Sequence, residues 1–479
     1  MKLRSILASL AVLGGCSNTQ PPQAPEAPQA PQAQQTRPVP EAPAAQAPAA
    51  GSAPAQQAAA PQPEDPPPQR HTQSVQQPRD EVLLEMHQAF RQANKPRLAQ
   101  LLPQAQGHAL EPWAAYWELR ARLDTASVQE IQQFLARYAG TYQEDRLRND
   151  WLQMLGQRRD WTTFAQEYPK YRMNDDREVR CYALLVQALS QPATVPVVAE
   201  EVKRLWLAQR DGDDGCTLAA ASLVGKSGPK GITTADAWRK ARQSVEANRP
   251  RAAAAALEMI NPDTLPLLNE LNASPTKFLT SRVSAASRVR REMVGLALIK
   301  LATSDIDQAA RQLETKWGPQ LHPEERDWVW GVIGRQAAQR LMPEANGYYA
   351  KVERDRHLND ELLQWKVRAA LRAGNKPDWP SVLEAVNAMS DEGKADATWT
   401  YWKARALLGT GPGEGHRAEA EKLLASIASP RGFYEQLALE DLGQKITVPA
   451  KPVPLSNEEK RAARQDPGLN RALYAIALG

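Results

Sequence analysis

Apolar positions recur at helical spacing along most of this chain. In the stretch 397–443, Tyr401, Ala404 and Leu408 fall at i, i+3 and i+7, and Ala420, Leu423, Leu424 and Ile427 repeat the same face. Each segment so marked carries one narrow apolar stripe, and a helix with one stripe must bury it against a neighbour. The pattern predicts three short helices here. A second copy lies upstream: Trp365-Lys366-Val367-Arg368-Ala369-Ala370-Leu371, then Gly374, then Val382, Leu383, Val386 and Met389, repeats Trp402-Lys403-Ala404-Arg405-Ala406-Leu407-Leu408 and its partner. Tyr116-Trp117-Glu118-Leu119-Arg120-Ala121-Arg122-Leu123 matches the segment from Tyr401 at the Tyr, Trp, Arg, Ala and final Leu positions. Recurrence of this kind predicts antiparallel helix pairs stacked side by side, an all-α, TPR-like superhelical solenoid.

The same spacing predicts helices at 81–92, 95–102, 112–123, 128–138, 145–156, 161–167, 179–189, 195–208, 217–224, 234–247, 251–258, 326–341 and 343–352. A final pair is expected at 457–465 and 467–478. Two connections share a grammar: Gly156 before Asp160-Trp161, and Gly374 before Asp378-Trp379. Glycine is expected as a left-handed helix end and aspartate as the next N-cap.

Composition agrees with helix: the chain has 479 residues, only 5 Phe and 42% hydrophobic positions. A net charge of +4, without a block of basic residues and interleaved aromatics, gives no indication of a nucleic-acid partner. Gly225-Lys226-Ser227 lacks the earlier glycine of a phosphate loop and reads as a helix end. His71, His87, His108, His322, His357 and His416 are scattered, so no metal site and no cofactor is expected. No Gly-x-Ser-x-Gly elbow or cysteine–histidine couple occurs, and no catalytic residue is assigned.

The first residues differ in kind. Lys2 and Arg4 precede the apolar run Ile6 to Leu13 and then Gly14-Gly15-Cys16. This looks like a bacterial lipoprotein signal, residues 1–15, with Cys16 as the lipidated N-terminus and Ser17 matching an outer-membrane address. The alternative is an ordinary secretory signal with an incidental cysteine. Residues 16–79 are Pro, Gln and Ala in near repetition and are expected to form a disordered tether. At full polyproline extension its reach is on the order of 190 Å. Cys181 and Cys216 remain. In an exported chain they are expected to pair, the alternative being two buried thiols.

Together these features resemble the soluble lytic murein transglycosylases, specifically their superhelical U-domain. The resemblance rests on Arg180-Cys181-Tyr182 with Lys203-Arg204-Leu205-Trp206-Leu207 and Cys216. It rests also on Thr400-Tyr401-Trp402-Lys403-Ala404 and the closing segment Arg431-Gly432-Phe433-Tyr434-Glu435-Gln436-Leu437-Ala438. Arg431, Phe433, Tyr434, Leu437 and Ala438 stand for the family's closing motif, read as structural. Glu435 departs from it by replacing a glycine. The resemblance covers residues 80–445, and 446–479 is similar to the start of the linking L-domain. It implies a helical ring and a separate lysozyme-like domain that cleaves peptidoglycan to 1,6-anhydro sugars with one glutamate. That glutamate's Glu-Ser motif is not in this sequence, nor are the family's Gly-Leu-Met-Gln and Ala-Tyr-Asn-Ala-Gly segments.

The expectation is therefore the peptidoglycan-engaging, non-catalytic part of such an enzyme, in the periplasm and held to the outer membrane by its lipid. An incomplete copy of a longer enzyme is favoured over a shortened protein that keeps only the ring. The alternative function is a lipoprotein scaffold for another cell-wall enzyme or envelope protein. Trp117, Trp365 and Trp402 are read as helix packing. Arg120, Arg368 and Arg405 either cover those rings or face glycan.

Overall fold

Successive helices pack as pairs. Thr234–Glu246 lies on Pro250–Glu258, Arg288–Ser304 on Ile306–Gln312, Pro323–Gln339 on Ala345–Tyr349, Asp360–Leu371 on Trp379–Ala388, and Ala397–Gly409 on Glu414–Ile427. The first helices of neighbouring pairs also touch, Thr234–Glu246 against Arg288–Ser304, then Pro323–Gln339, then Asp360–Leu371. That sideways stacking makes the solenoid. The computed structural model describes residues 79–479 except 210, 227, 229, 230, 283, 412, 449 and 450. Among the described residues there are twenty-five α-helices and no strand, and they fall within one unit, His71–Gly479. The signal, Cys16 and nearly all of the expected tether lie outside the described residues.

Local chemistry explains most helix ends. Asp160 accepts from the Thr163 N–H at 3.1 Å and Asp378 from the Ser381 N–H at 3.3 Å, so both aspartates cap as expected. Ser127 with Glu130, Thr233 with Asp236 and Ser456 with Glu459 form reciprocal capping boxes. Gly374 is left-handed at φ 55°. Gly156 is not: the helix Tyr142–Arg158 runs through it, and Arg159 takes the left-handed turn at φ 62°. Its role is steric, because a Cβ there would fall into the Tyr182 ring.

Other differences are small. The helix expected at 343–352 is only Ala345–Tyr349, since Met342 and Pro343 belong to a tight turn after Gln339. In Ala397–Gly409 the buried leucine is Leu407, and Leu408 faces out. The stripe follows Tyr401, Ala404 and Leu407, which lie under the next helix. Gly225 ends a helix, at φ 73° after Leu223.

A main core runs from Cys181 to Ala406. The first hairpin, Asp80–Arg91 with Lys95–Leu101, has its own core of Leu83, Met86, Leu98 and Leu101. Tyr474, Ala475 and Leu478 from the last helix, Pro467–Leu478, pack onto it. The Tyr474 hydroxyl donates to Asp80 Oδ1 at 2.5 Å. His108 faces the same carboxylate through Nε2 at 2.9 Å and accepts from the Leu110 N–H on Nδ1, which fixes the proton on Nε2. The folded unit's two ends therefore meet. The outer side of the last helix, with Leu469, Leu473 and Ile476, is exposed.

Candidate binding surface

Repeat helices place the three arginines of the Trp-containing segments, and their neighbours treat them differently. Arg120 Nε lies 3.0 Å from Asp150 Oδ2, which also accepts the Tyr116 hydroxyl at 2.8 Å. Arg405 repeats the arrangement: its Nη1 donates to the Tyr401 hydroxyl at 2.9 Å and to Asp441 at 3.3 Å. Tyrosine and arginine stand four residues apart on one helix, so one carboxylate from a later helix reaches both. Burial, reinforced by Asp150, pushes the Tyr116 hydroxyl up to about 12. Burial also raises Asp150 against the pull of Arg120. Among the described residues Arg368 has no such carboxylate. Its guanidinium lies 4.9 Å from the ring centres of both Trp365 and Trp399.

A polar cavity of about 650 Å³ opens where the ends of several first helices converge. Gln209, Gln243, Asn248, Gln336 and Gln339 give it an amide-rich wall. Such groups both donate to and accept from hydroxyls and acetamides. On its floor, burial pushes the Glu246 carboxyl up to about 7, with Arg335 at 3.0 Å opposing and Glu361 adding to the rise. Burial pushes Lys240 down to about 8, although its ammonium donates to the Trp206 and Gln209 carbonyls at 2.7 and 2.6 Å. Arg335 also bonds Glu361 at 2.9 Å, so Glu246 is held in an ion-pair chain across three helices. Nearby, Arg242 joins Glu292 at 2.8 Å and Glu324 at 3.0 Å. Sequence reading missed Glu246 and Lys240. Both lie off the Ala237, Ala241 and Val245 stripe of Thr234–Glu246, and only burial by neighbouring helices marks them.

The remaining expected residues lie elsewhere. Cys181 and Cys216 are joined as a disulfide within the main core. In the closing segment Ala438 is buried and Tyr434 and Leu437 pack on the last repeat's core, while Arg431 and Phe433 are exposed. Gly432 turns at φ 96° and the Glu435 carboxylate lies against it, filling the space of a Cβ. Trp117, Trp365 and Trp402 are half-buried against cores. Among the described residues no group of histidine, cysteine and carboxylate side chains is spaced to hold a metal. No helix there is long and apolar enough to cross a membrane.

No protein-family model matches the chain. Soluble lytic murein transglycosylase of Escherichia coli K12 is 22% identical over 391 residues, covering 76% of this chain and 55% of the relative. The Salmonella typhimurium enzyme of that name is 22% identical over 383 residues with the same coverage. The chain is a homologue of the soluble lytic murein transglycosylases. It spans about half the length of these curated relatives. Among solved structures, lytic transglycosylase Slt of Pseudomonas aeruginosa is similar with a TM-score of 0.49 and 23% identity. That match covers 84% of this chain and 64% of that one. The 70-kDa soluble lytic transglycosylase of E. coli gives a TM-score of 0.44 and 19% identity, over 83% and 63% of the two chains.

Proposed function

We propose that this chain is the peptidoglycan-engaging, non-catalytic part of a lytic murein transglycosylase. Residues 80–445 act as a U-like superhelix and 446–479 as the start of an L-like linker. The reading is carried by the match to soluble lytic murein transglycosylases over 391 residues. The amide-rich cavity supports it, as a surface suited to acetamido sugars. Cleavage of the glycan to 1,6-anhydro products is assigned to residues not in this sequence. The proposed setting is the periplasm, with Cys16 lipidated and residues 16–79 as a tether from the outer membrane. Cys16→Ala tests the anchor: it should abolish labelling by a fatty-acid probe, and a parent chain that takes no label refutes the anchor.

The deciding experiment is retention of the whole chain on purified sacculi. Retention that soluble muropeptides compete away is expected, and free passage through the sacculi overturns the reading. A second reading, a scaffold for another cell-wall enzyme, is favoured by the exposed Leu469, Leu473 and Ile476 on the last helix. A scaffold predicts no retention by the purified chain and loss of a protein partner on Leu473→Ser.

A further inference from the structure

A second cleft, about 480 Å³ in volume, is bordered by the end of Pro323–Gln339 and by Asp360–Leu371, Ala397–Gly409 and Phe433–Asp441. Its wall is aromatic. Trp365, Trp402 and Tyr434 are half-buried and Trp399 is buried, so three of the four rings remain accessible from the cleft. Leu341 completes the wall. It is 63% exposed and sits at φ 59°, a left-handed helix end that glycine usually fills. A bulky residue is disfavoured in that conformation, and here it presents an apolar side chain to the cleft.

The charges on this wall have one sign. Arg368 and Arg372 line the cleft, and no carboxylate lines it among the described residues. The Arg368 guanidinium carbon lies 4.9 Å from the Trp365 and Trp399 ring centres, a cation–π arrangement, and its forked N–H groups are donors suited to a carboxylate. Neither arginine forms an ion pair among the described residues, in contrast to Arg120 and Arg405. Indole faces match the C–H face of a pyranose ring, and a forked cation matches a carboxylate. The volume suits a small unit of one or two sugars with part of a peptide.

We propose that this cleft binds an anionic muropeptide, with an N-acetylated pyranose on Trp365 and Trp402 and a stem-peptide carboxylate on Arg368 and Arg372. The proposal rests on the peptidoglycan reading above and gives that reading a location. A neutral glycan would use the aromatic wall and leave both cations unpaired.

Calorimetric titration of the whole chain with N-acetylmuramyl-L-alanyl-D-isoglutamine tests it, with uncharged tetra-N-acetylchitotetraose (below, chitotetraose) as the second arm. The muramyl dipeptide should bind more tightly than chitotetraose. Arg368→Gln should weaken dipeptide binding by at least fivefold, as the loss of a charge-assisted bond implies, and leave chitotetraose unchanged. Arg372→Gln serves as the second variant if the first misfolds by circular dichroism. Absence of dipeptide binding, or affinity kept within fivefold in the folded variant, overturns the proposal and returns the cleft to a protein partner. Sacculus retention separates the two failures. A parent chain that is retained while the cleft fails leaves the broader reading standing, and a parent chain that is not retained removes both.

Discussion

Replacing Glu246 with glutamine removes a titrating proton while keeping the side chain's shape. Burial sets the folded carboxyl at about 7, against an ordinary value of 4.5. The native chain therefore holds a proton between these values that the unfolded chain has released. Its contribution to stability is complete below pH 4.5 and lost as pH rises through 7. About 2.5 units at 1.36 kcal/mol each gives about 3 kcal/mol over that window. Glutamine does not titrate, so the stability of Glu246→Gln relative to the parent should rise by about 3 kcal/mol between pH 4 and pH 8. Arg335 also bonds Glu361 at 2.9 Å, a partner the substitution leaves in place, and any pH-independent change in packing cancels in the slope. Urea denaturation followed by far-UV circular dichroism at five pH values measures it. A difference that stays constant to within about 0.5 kcal/mol, or shrinks as pH rises, refutes the argument.

Gly334→Ala would stabilise an ordinary helix interior by about 1 kcal/mol. Here the new Cβ meets three Tyr349 ring atoms at 2.7–2.9 Å, and that buried ring is tied through its hydroxyl to the Leu362 carbonyl at 2.9 Å. The expected result is a net loss of about 1–3 kcal/mol, read from the urea midpoint. Replacing Cys181 and Cys216 together by alanine should cost about 4 kcal/mol, from a sequence separation of 35. Equal midpoints for the oxidised and reduced parent would contradict this. Tyr474→Phe removes the bond to Asp80 and should speed amide exchange over Pro467–Leu478 about tenfold, with exchange in Arg288–Ser304 unchanged.

The solenoid was legible because its determinants are local. Apolar spacing marked the helices, and Asp160 and Asp378 marked two of the starts. Both cysteines were legible through chemistry, by their expected compartment. What escaped was decided by distant neighbours. Gly156 has the same local signature as Gly374, yet the Tyr182 ring on the next repeat makes it a packing glycine. Arg368 and Arg405 occupy equivalent repeat positions. Asp441 reaches only the second, and Trp399 takes its place beside the first. Aromatic residues first read as packing alone also line a cleft, because Trp365 and Trp402 are long enough to do both.

The seam between Tyr474 and Asp80 has a consequence for how such a chain can change. An array with free ends accepts an added or deleted hairpin at little cost, because only the nearest neighbours must adjust. Once the helices of Asp80 and Tyr474 touch, the rotations contributed by every pair between them must add up to the same total. A hairpin duplicated between them would move Tyr474 away from its carboxylate, so this one contact constrains how many hairpins can lie between Asp80 and Tyr474.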